Sequence, residues 1–187
     1  MIRVFVAISL PPQIKDRLTR LCTGLPGARW LPPENMHLTL RFLGEISETD
    51  MDTVQSSLRL IEVSSFSLVL DGIGTFGQGH RTRAIWVGVE TSPDLRHLQS
   101  KIETSLVRAG LPPERRKFTP HITLARFRNA IPHRITQFVE ANALFRAGPF
   151  PVERFAMFRS QLGKGGSVHN HLASYDLALI TRRERPG

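Results

Sequence analysis

One short stretch of the chain alternates strictly between polar and apolar side chains. Residues 37–42 have the sequence His-Leu-Thr-Leu-Arg-Phe, and this period of 2 is typical of a β-strand with one face on a core. His37, Thr39 and Arg41 fall on the polar face of the predicted strand. An imidazole and a hydroxyl are therefore expected side by side on a surface that faces away from the core.

A second stretch repeats the pattern 84 residues further along the chain. Residues 121–124 have the sequence His-Ile-Thr-Leu, so His121 and Thr123 share one face of a predicted strand. A single histidine on a strand is most often a hydrogen-bonded structural residue. Two His-x-Thr copies on two strands predict instead two histidines that face each other across a cleft.

The predicted order of strands and helices also repeats, which indicates a duplication of a strand–helix–strand–helix–strand unit. We expect one domain over residues 1–187, with repeat halves at approximately 1–80 and 84–165 and a closing strand at 172–181. Prolines and glycines mark the predicted helix ends. The predicted strands are 2–9, the His37 strand, 66–70, 84–90, the His121 strand and 150–158, and the predicted helices start at Pro12, after Ser47 or Thr49, at Ser92-Pro93 and at Pro132.

Two glycine-rich segments, at residues 71–83 and 163–171, are predicted as loops. The first carries His80, Arg81 and Arg83, but its glycines lack the spacing of a P-loop or of a dinucleotide-binding motif. We therefore expect a flexible turn between two strands.

The chain is strongly basic, with a net charge of +9, and 21 of its 25 basic residues are arginine. A basic surface favours anionic partners such as nucleic acid, and the planar guanidinium suits phosphate oxygens. The arginine bias has an alternative origin in the base composition of the genome. The net charge itself predicts an anionic partner.

The remaining composition predicts a cytoplasmic protein. Cys22 is the single cysteine, so no internal disulfide can form. Residues 1–10 are apolar but short and lead into Pro11-Pro12, so they indicate a first strand and not a signal peptide. Since no run approaches the ~20 apolar residues of a membrane span, we expect no membrane partner. We also expect a monomer.

The paired histidines predict acid–base chemistry without a metal ion or another cofactor. Two histidines without further ligands at matching spacing make a poor metal site, and neither serine nor cysteine lies in a nucleophile motif. Imidazoles can donate and accept protons near neutral pH, while threonine hydroxyls and arginines can hold an oxyanion. A phosphodiester needs all of these groups, because a water must lose a proton and an alkoxide must gain one.

Residues 30–44 and 120–126 resemble the two signatures of the 2H (two-histidine) phosphoesterase superfamily. Within it, the chain is similar to the LigT-like group of RNA 2',3'-cyclic phosphodiesterases, once named 2'-5' RNA ligases. The likeness extends over the full length and includes Arg-Val-Phe-Val-Ala-Ile at residues 3–8. The resemblance implies a bilobal α+β fold, in which two antiparallel sheets face each other across a central cleft with helices on the outside, and no metal.

The resemblance also assigns roles to residues of the two motifs. It implies that His37 and His121 are catalytic, that Thr39 and Thr123 bind phosphate oxygens, and that Arg126 helps to bind the substrate.

The motifs leave the roles of two arginines and one histidine open. Arg41 is a candidate substrate ligand because it is in phase with His37, whereas Arg126 is out of phase with His121, so a structural role is open for Arg126. Near the C-terminus the family often has a tyrosine, and His169 stands in its place here.

The leading hypothesis is an enzyme that opens a 2',3'-cyclic phosphate at an RNA end to give a 2'-phosphate. His121 would act as the base on water and His37 as the acid toward the 3' oxygen, and the opposite division is also open. The same site run in reverse would join RNA ends through a 2'-5' linkage. The alternative is a non-catalytic nucleotide- or RNA-binding module.

Overall fold

The structure is a computed structural model that describes residues 1–163 and 166–179, with nine strands, four α-helices and two short 3₁₀ helices at Pro33–Asn35 and Gly79–Arg81. The strands are β1 (Ile2–Ser9), β2 (Arg29–Trp30), β3 (His37–Ile46), β4 (Phe66–Phe76), β5 (Ala84–Val89), β6 (His121–Arg126), β7 (Arg146–Val152), β8 (Arg154–Gly163) and β9 (Gly166–Asp176). The helices are α1 (Pro12–Leu21), α2 (Glu48–Arg59), α3 (Pro93–Arg108) and α4 (Pro132–Ala141).

The helices begin where local chemistry satisfies their first turns. Proline, which needs no hydrogen-bond acceptor, occupies the first turn of α1, α3 and α4. The Ser47 hydroxyl accepts a hydrogen bond from the amide of Asp50 at 3.0 Å, and Ser92 accepts one from Leu95 at 3.1 Å. Each helix buries apolar side chains, and α3 packs against both α2 and β3.

The strands form two antiparallel sheets. The first sheet has the order β3-β1-β8-β9 and the second sheet has the order β2-β6-β5-β4-β7. All neighbouring strands within the two sheets are antiparallel. The predicted α+β class with two antiparallel sheets is thereby confirmed. Among the described residues, no helix is both long and apolar enough to cross a membrane.

The two sheets have corresponding strand orders once β2 is set aside. β3, β1, β8 and β9 of the first sheet match β6, β5, β4 and β7 of the second. The last strand of each predicted half, β4 in residues 1–80 and β8 in residues 84–165, lies in the sheet built around the other half. The predicted halves 1–80 and 84–165 therefore do not coincide with the sheets, and a duplication of the sequence stays a prediction.

Several predicted boundaries differ from the observed ones. β4 extends to Phe76, so residues 71–76 belong to a strand and the loop is confined to 77–83. Helix α4 ends at Ala141, whereas the sequence predicts an end near Arg146. The segment predicted as one strand at 150–158 is divided between β7 and β8. Glycines at 72 and 74 suggested a loop, but Gly74 leaves room for the Trp86 ring, 2.2 Å from where a Cβ would lie.

The closing strand also lies earlier in the chain than predicted. The prediction placed it at 172–181, whereas β9 begins at Gly166 and ends at Asp176. It pairs with β8 over its whole length, so most of the segment predicted as a second glycine-rich loop is strand. Residues 180 and 181 lie outside the described residues.

A β-bulge interrupts the alternation of β3 after Thr39. Thr39 pairs with Ala7 and Arg41 with Val6, so Leu40 is an extra residue in the ladder. The side chain of Arg41 is consequently buried, with 7% exposed, while that of Phe42 is 51% exposed. The predicted parity, with Arg41 on the polar face and Phe42 on the apolar one, is wrong beyond this bulge.

A matching bulge interrupts β6. Thr123 pairs with Trp86 and Ala125 with Ile85, so Leu124 is the extra residue. Arg126 is therefore exposed, while Ala125 is buried. The bulge returns Arg126 to the side of the strand that carries His121, although strict alternation predicts the opposite side.

Candidate active site

The cleft between the two sheets is a cavity of about 680 Å³ lined by residues of both. The first sheet contributes His37 and Thr39, and the second contributes His121 and Thr123. The lining includes all six residues singled out in the sequence: His37, Thr39, Arg41, His121, Thr123 and Arg126. The chain thus brings two segments 84 residues apart to one site.

His37 lies in an aromatic cluster on the first sheet. Its ring stacks on Phe5 with centroids 4.7 Å apart and meets His169 edge-on at 5.1 Å. Phe158 also stacks on Phe5, at 5.4 Å. Burial, together with the positive charges that His169 and Lys15 can carry, lowers the pKa of His37 to about 3. His37 is therefore neutral in the free protein at pH 7.

His121 is held by the backbone that leads into β6. Its Nδ1 lies 2.6 Å from the carbonyl oxygen of Thr119, and since a carbonyl only accepts, Nδ1 carries the proton in the neutral ring. Nε2 then keeps a free lone pair, as a base requires. Burial lowers the pKa of His121, the Thr119 hydrogen bond opposes this shift, and the charge of Arg126 adds to it. Phe76 meets the ring edge-on at 4.7 Å.

Arg41 lines the cleft, but its guanidinium is occupied by protein partners. Its Nε lies 2.5 Å from Glu103 Oε2, and it donates to the carbonyl oxygens of Phe42 and Pro112. These contacts use the fork that a substrate phosphate would need. The geometry assigns Arg41 to the support of the cleft wall, in contrast to the substrate contact expected from the sequence.

The cleft carries positive charge that remains available. Arg3, Lys117 and Arg126 line it, and within the part of the chain that the structure describes, none of them pairs with a carboxylate. Arg116 also lines the cleft, but it bonds Glu114 at 2.9 Å and holds the pKa of that carboxyl at about 2. A phosphate in the cleft would therefore meet a positive field.

Strand β9 completes the wall beside His37. Asn35, which lies just before β3, donates from its side-chain amide to the carbonyl oxygen of Ser167 at 2.8 Å. His169 lies on this strand and lines the cleft. Its Nδ1 is buried and has no hydrogen-bond partner among the described residues, and burial lowers its pKa.

Several residues of the site were not found by reasoning from the sequence. Phe5, Phe42, Phe76 and Lys117 all line the cleft. A signal existed for Phe5, which lies in the middle of the first predicted strand with the parity of Arg3. Phe42 gave a misleading signal, because the bulge at Leu40 changes its face.

The surroundings of the two histidines are aromatic rings and hydroxyls. No group of three or more histidine, cysteine, aspartate or glutamate side chains that could hold a metal ion occurs within residues 1–163 and 166–179.

Two facing antiparallel sheets that bring two His-x-Thr strands to one cleft define a phosphoesterase of the two-histidine class. The chain belongs to the 2'-5' RNA ligase superfamily, whose family model matches residues 1–164. The RNA 2',3'-cyclic phosphodiesterase of Thermotoga maritima is 32% identical to it over 176 residues, which are 91% of this chain and 92% of the relative.

Solved structures show the same fold. The protein TT0787 of Thermus thermophilus superposes with a TM-score of 0.78 and 27% identity, over 95% of this chain and 99% of that one. LigT of Escherichia coli, solved as a complex with 3'-AMP, superposes with a TM-score of 0.75 and 28% identity, over 94% of this chain and 98% of that one.

Proposed function

We propose that this protein hydrolyses 2',3'-cyclic phosphate ends of RNA to 2'-phosphates without a metal ion. The observation that carries the proposal is the placement of both histidines and both threonines of the repeated motif in one basic cleft. The relative from Thermotoga maritima bears the name of this activity, and LigT binds a 3'-nucleotide. Both similarities support an RNA terminus as the substrate.

In the proposed reaction, His121 removes a proton from water through Nε2. The resulting hydroxide attacks phosphorus and the P–O3' bond breaks. His37 gives its proton to the leaving O3', so the products are a 2'-phosphate and a 3'-hydroxyl. Thr39 and Thr123 donate hydrogen bonds to the non-bridging oxygens, whose negative charge grows in the transition state. Arg126 supplies a positive charge beside them.

The neutral state of His37 in the free protein sets a requirement on this reaction. To act as the acid, His37 must take up a proton when the substrate binds. A nearby negative charge favours the charged form of histidine, so a phosphodiester in the cleft moves the pKa of His37 in the needed direction. Substrate binding and protonation of His37 are therefore coupled in this proposal.

The ligation reaction uses the same groups with a 5'-hydroxyl in place of water: the 5'-oxygen attacks phosphorus, the P–O3' bond breaks, and a 2'-5' linkage forms. The name of the matching family fits this reaction. Water is the abundant nucleophile, so hydrolysis is the expected main activity. A binding module without turnover is not favoured, because both copies of the motif are complete and face one cleft.

The test is an assay on an RNA oligonucleotide with a 2',3'-cyclic phosphate end, carried out in EDTA. We expect a 2'-phosphomonoester, identified by its phosphorus NMR signal, and a bell-shaped dependence of rate on pH, as two titrating groups require. Activity that EDTA abolishes and a divalent ion restores would refute the metal-free reaction. Binding of the RNA without any product would favour the binding module.

A further inference from the structure

An open surface depression, here called the second cavity, lies beside the cleft. The loop at residues 77–83, which joins β4 to β5, forms most of its wall. Phe76 lines both this cavity and the catalytic cleft, so the two sites meet at its ring. The lining of the second cavity consists of Phe76, Gly77, Gln78, Gly79, Arg81 and Arg83.

The 77–83 loop is a closed turn with a defined shape. The amide of Arg83 donates to the Phe76 carbonyl at 2.8 Å, and the buried Thr82 hydroxyl donates to the Gly79 carbonyl at 2.9 Å. Gly77 has φ +85°, and a Cβ on it would lie 2.2 Å from the Arg81 carbonyl oxygen. These contacts define the course of the backbone that carries Arg81 and Arg83, and the flexibility expected from the sequence stays a prediction.

Basic residues continue from the cleft to this loop. The Arg83 carbonyl accepts from the amide of Phe127 at 2.9 Å, and Ala84 pairs with Arg126, so Arg83 and Arg126 stand on neighbouring segments of the second sheet. Arg81 and Arg83 are exposed and form no ion pair with another described residue.

The sequence around this path contains no acidic residue. Residues 72–89 and 115–139 lack aspartate and glutamate altogether, although they supply β5, β6 and the loops beside them. A genome-wide preference for arginine over lysine would not remove carboxylates from two neighbouring segments. The absence of acidic groups points to a surface that meets a polyanion.

We propose that the 77–83 loop binds the phosphodiester backbone of the RNA strand upstream of its reacting end. The inference rests on the proposed function, and it deepens it by naming an oligonucleotide, in preference to a cyclic mononucleotide, as the substrate. The terminal nucleotide occupies the cleft, the strand passes the 38% exposed ring of Phe76, and Arg81 and Arg83 contact upstream phosphates. An exposed aromatic ring on the path of a single strand offers a base a stacking surface.

The test compares the wild-type protein with an Arg81→Gln/Arg83→Gln variant on two substrates. One is a tetranucleotide with a 2',3'-cyclic phosphate end, and the other is a 2',3'-cyclic mononucleotide. We expect the variant to show a raised KM for the tetranucleotide only, with kcat unchanged. The matched control is Arg20→Gln/Arg108→Gln, which removes the same charge from exposed helix positions that line neither cavity.

Salt dependence provides a second readout that does not need turnover. Each phosphate contact to a single strand contributes a slope of roughly −0.7 in log affinity against log salt. For a fluorescent tetranucleotide that ends in a 2'-phosphate, the slope of log affinity against log salt should therefore be less negative by about 1.4 in the Arg81/Arg83 variant. The control variant should keep the wild-type slope.

Each outcome bears on one proposal. An equal rise in KM for both substrates, an unchanged tetranucleotide KM and salt slope, or the same effect in the control variant would overturn the upstream site. Wild-type protein that hydrolyses neither substrate would overturn the proposed function, and the binding slopes would then still decide whether Arg81 and Arg83 contact RNA.

Discussion

Arg41 and Glu103 form a partly buried ion pair that joins β3 to α3, with Nε and Oε2 2.5 Å apart. The second oxygen of Glu103 accepts from the amide of Glu114 at 2.8 Å, while Arg41 donates to the Pro112 carbonyl at 2.6 Å. The pair therefore fixes the segment at 112–114, which leads to the cleft residue Lys117. The guanidinium of Arg41, although it lines the cleft, is therefore occupied by contacts within the protein.

We predict that Arg41→Met lowers the free energy of unfolding by up to about 3 kcal/mol, because it leaves the Glu103 carboxylate, 23% exposed, without its cation. Urea denaturation measures the change. Arg116→Met is the control, since its side chain is 75% exposed and such surface pairs contribute under about 1 kcal/mol. Equal stability of the two variants would contradict a structural role for Arg41.

The sequence was sufficient to predict the strands that carry the histidines. His37, His121 and their threonines lie on polar strand faces because local alternation is a short-range property of the chain. The same alternation predicted the wrong face for Arg41 and was wrong again for Arg126. Each of those residues lies beyond a bulge, and a bulge depends on pairing with another strand, which a single stretch of sequence does not encode.

Contacts between distant parts of the chain were also not predictable from the sequence pattern. β4 lies in the sheet of β5 and β6, and β8 lies in the sheet of β1 and β3, so each of these strands pairs outside its own half of the chain. The cluster of Phe5, His37 and His169 joins the first strand, the third strand and the last strand. Motif spacing marked His37 and the departure at His169, but the contact between them required the fold.

We predict that His37→Ala and His121→Ala each lower kcat by about 10²–10⁴-fold, the usual contribution of a positioned acid or base. Both side chains line the cleft, so the far-ultraviolet circular dichroism spectrum should stay that of the wild type. His97→Ala on the exposed side of α3 is the control and should keep full activity. Near-normal turnover in either cleft variant would remove that histidine from the mechanism.

Thr39→Val and Thr123→Val should each raise the activation barrier by roughly 3–4 kcal/mol, as the loss of one oxyanion donor does. Valine is an equally good strand residue, so the melting temperature should barely change. Thr39→Ser and Thr123→Ser keep the hydroxyl and should retain most of the rate. If serine and valine variants turned over equally, the hydroxyls would have no part in binding the phosphoryl oxygens.

Stability should fall as the pH is lowered from 7 to 5. The pKa of His37 is near 6.5 in the unfolded chain and about 3 in the folded protein. Below pH 6.5 the unfolded state therefore binds a proton that the folded state does not, which costs up to about 1.4 kcal/mol per pH unit. The lowered pKa values of His121 and His169 act in the same direction.

Urea denaturation at pH 7, 6 and 5 measures the trend, and His37→Gln should make it shallower. A stability that stayed constant or rose toward pH 5 would contradict the lowered pKa of the half-buried His37.

His169, whose ring meets His37 edge-on at 5.1 Å, should influence the protonation of the proposed catalytic acid. His169→Phe keeps an aromatic ring on β9 but removes the positive charge that lowers the pKa of His37. We expect the pKa of His37 to rise, as followed by proton NMR titration of its ring, and the acidic limb of the kcat/KM profile to move with it.

The variant should fold stably, because the replaced Nδ1 is buried without a partner among the described residues. His171→Phe is the control, since His171 lies on the same strand but contacts Phe158 and Ser174 instead of His37. An unmoved His37 titration in His169→Phe, or an equal shift in His171→Phe, would show that His169 does not set the protonation of His37.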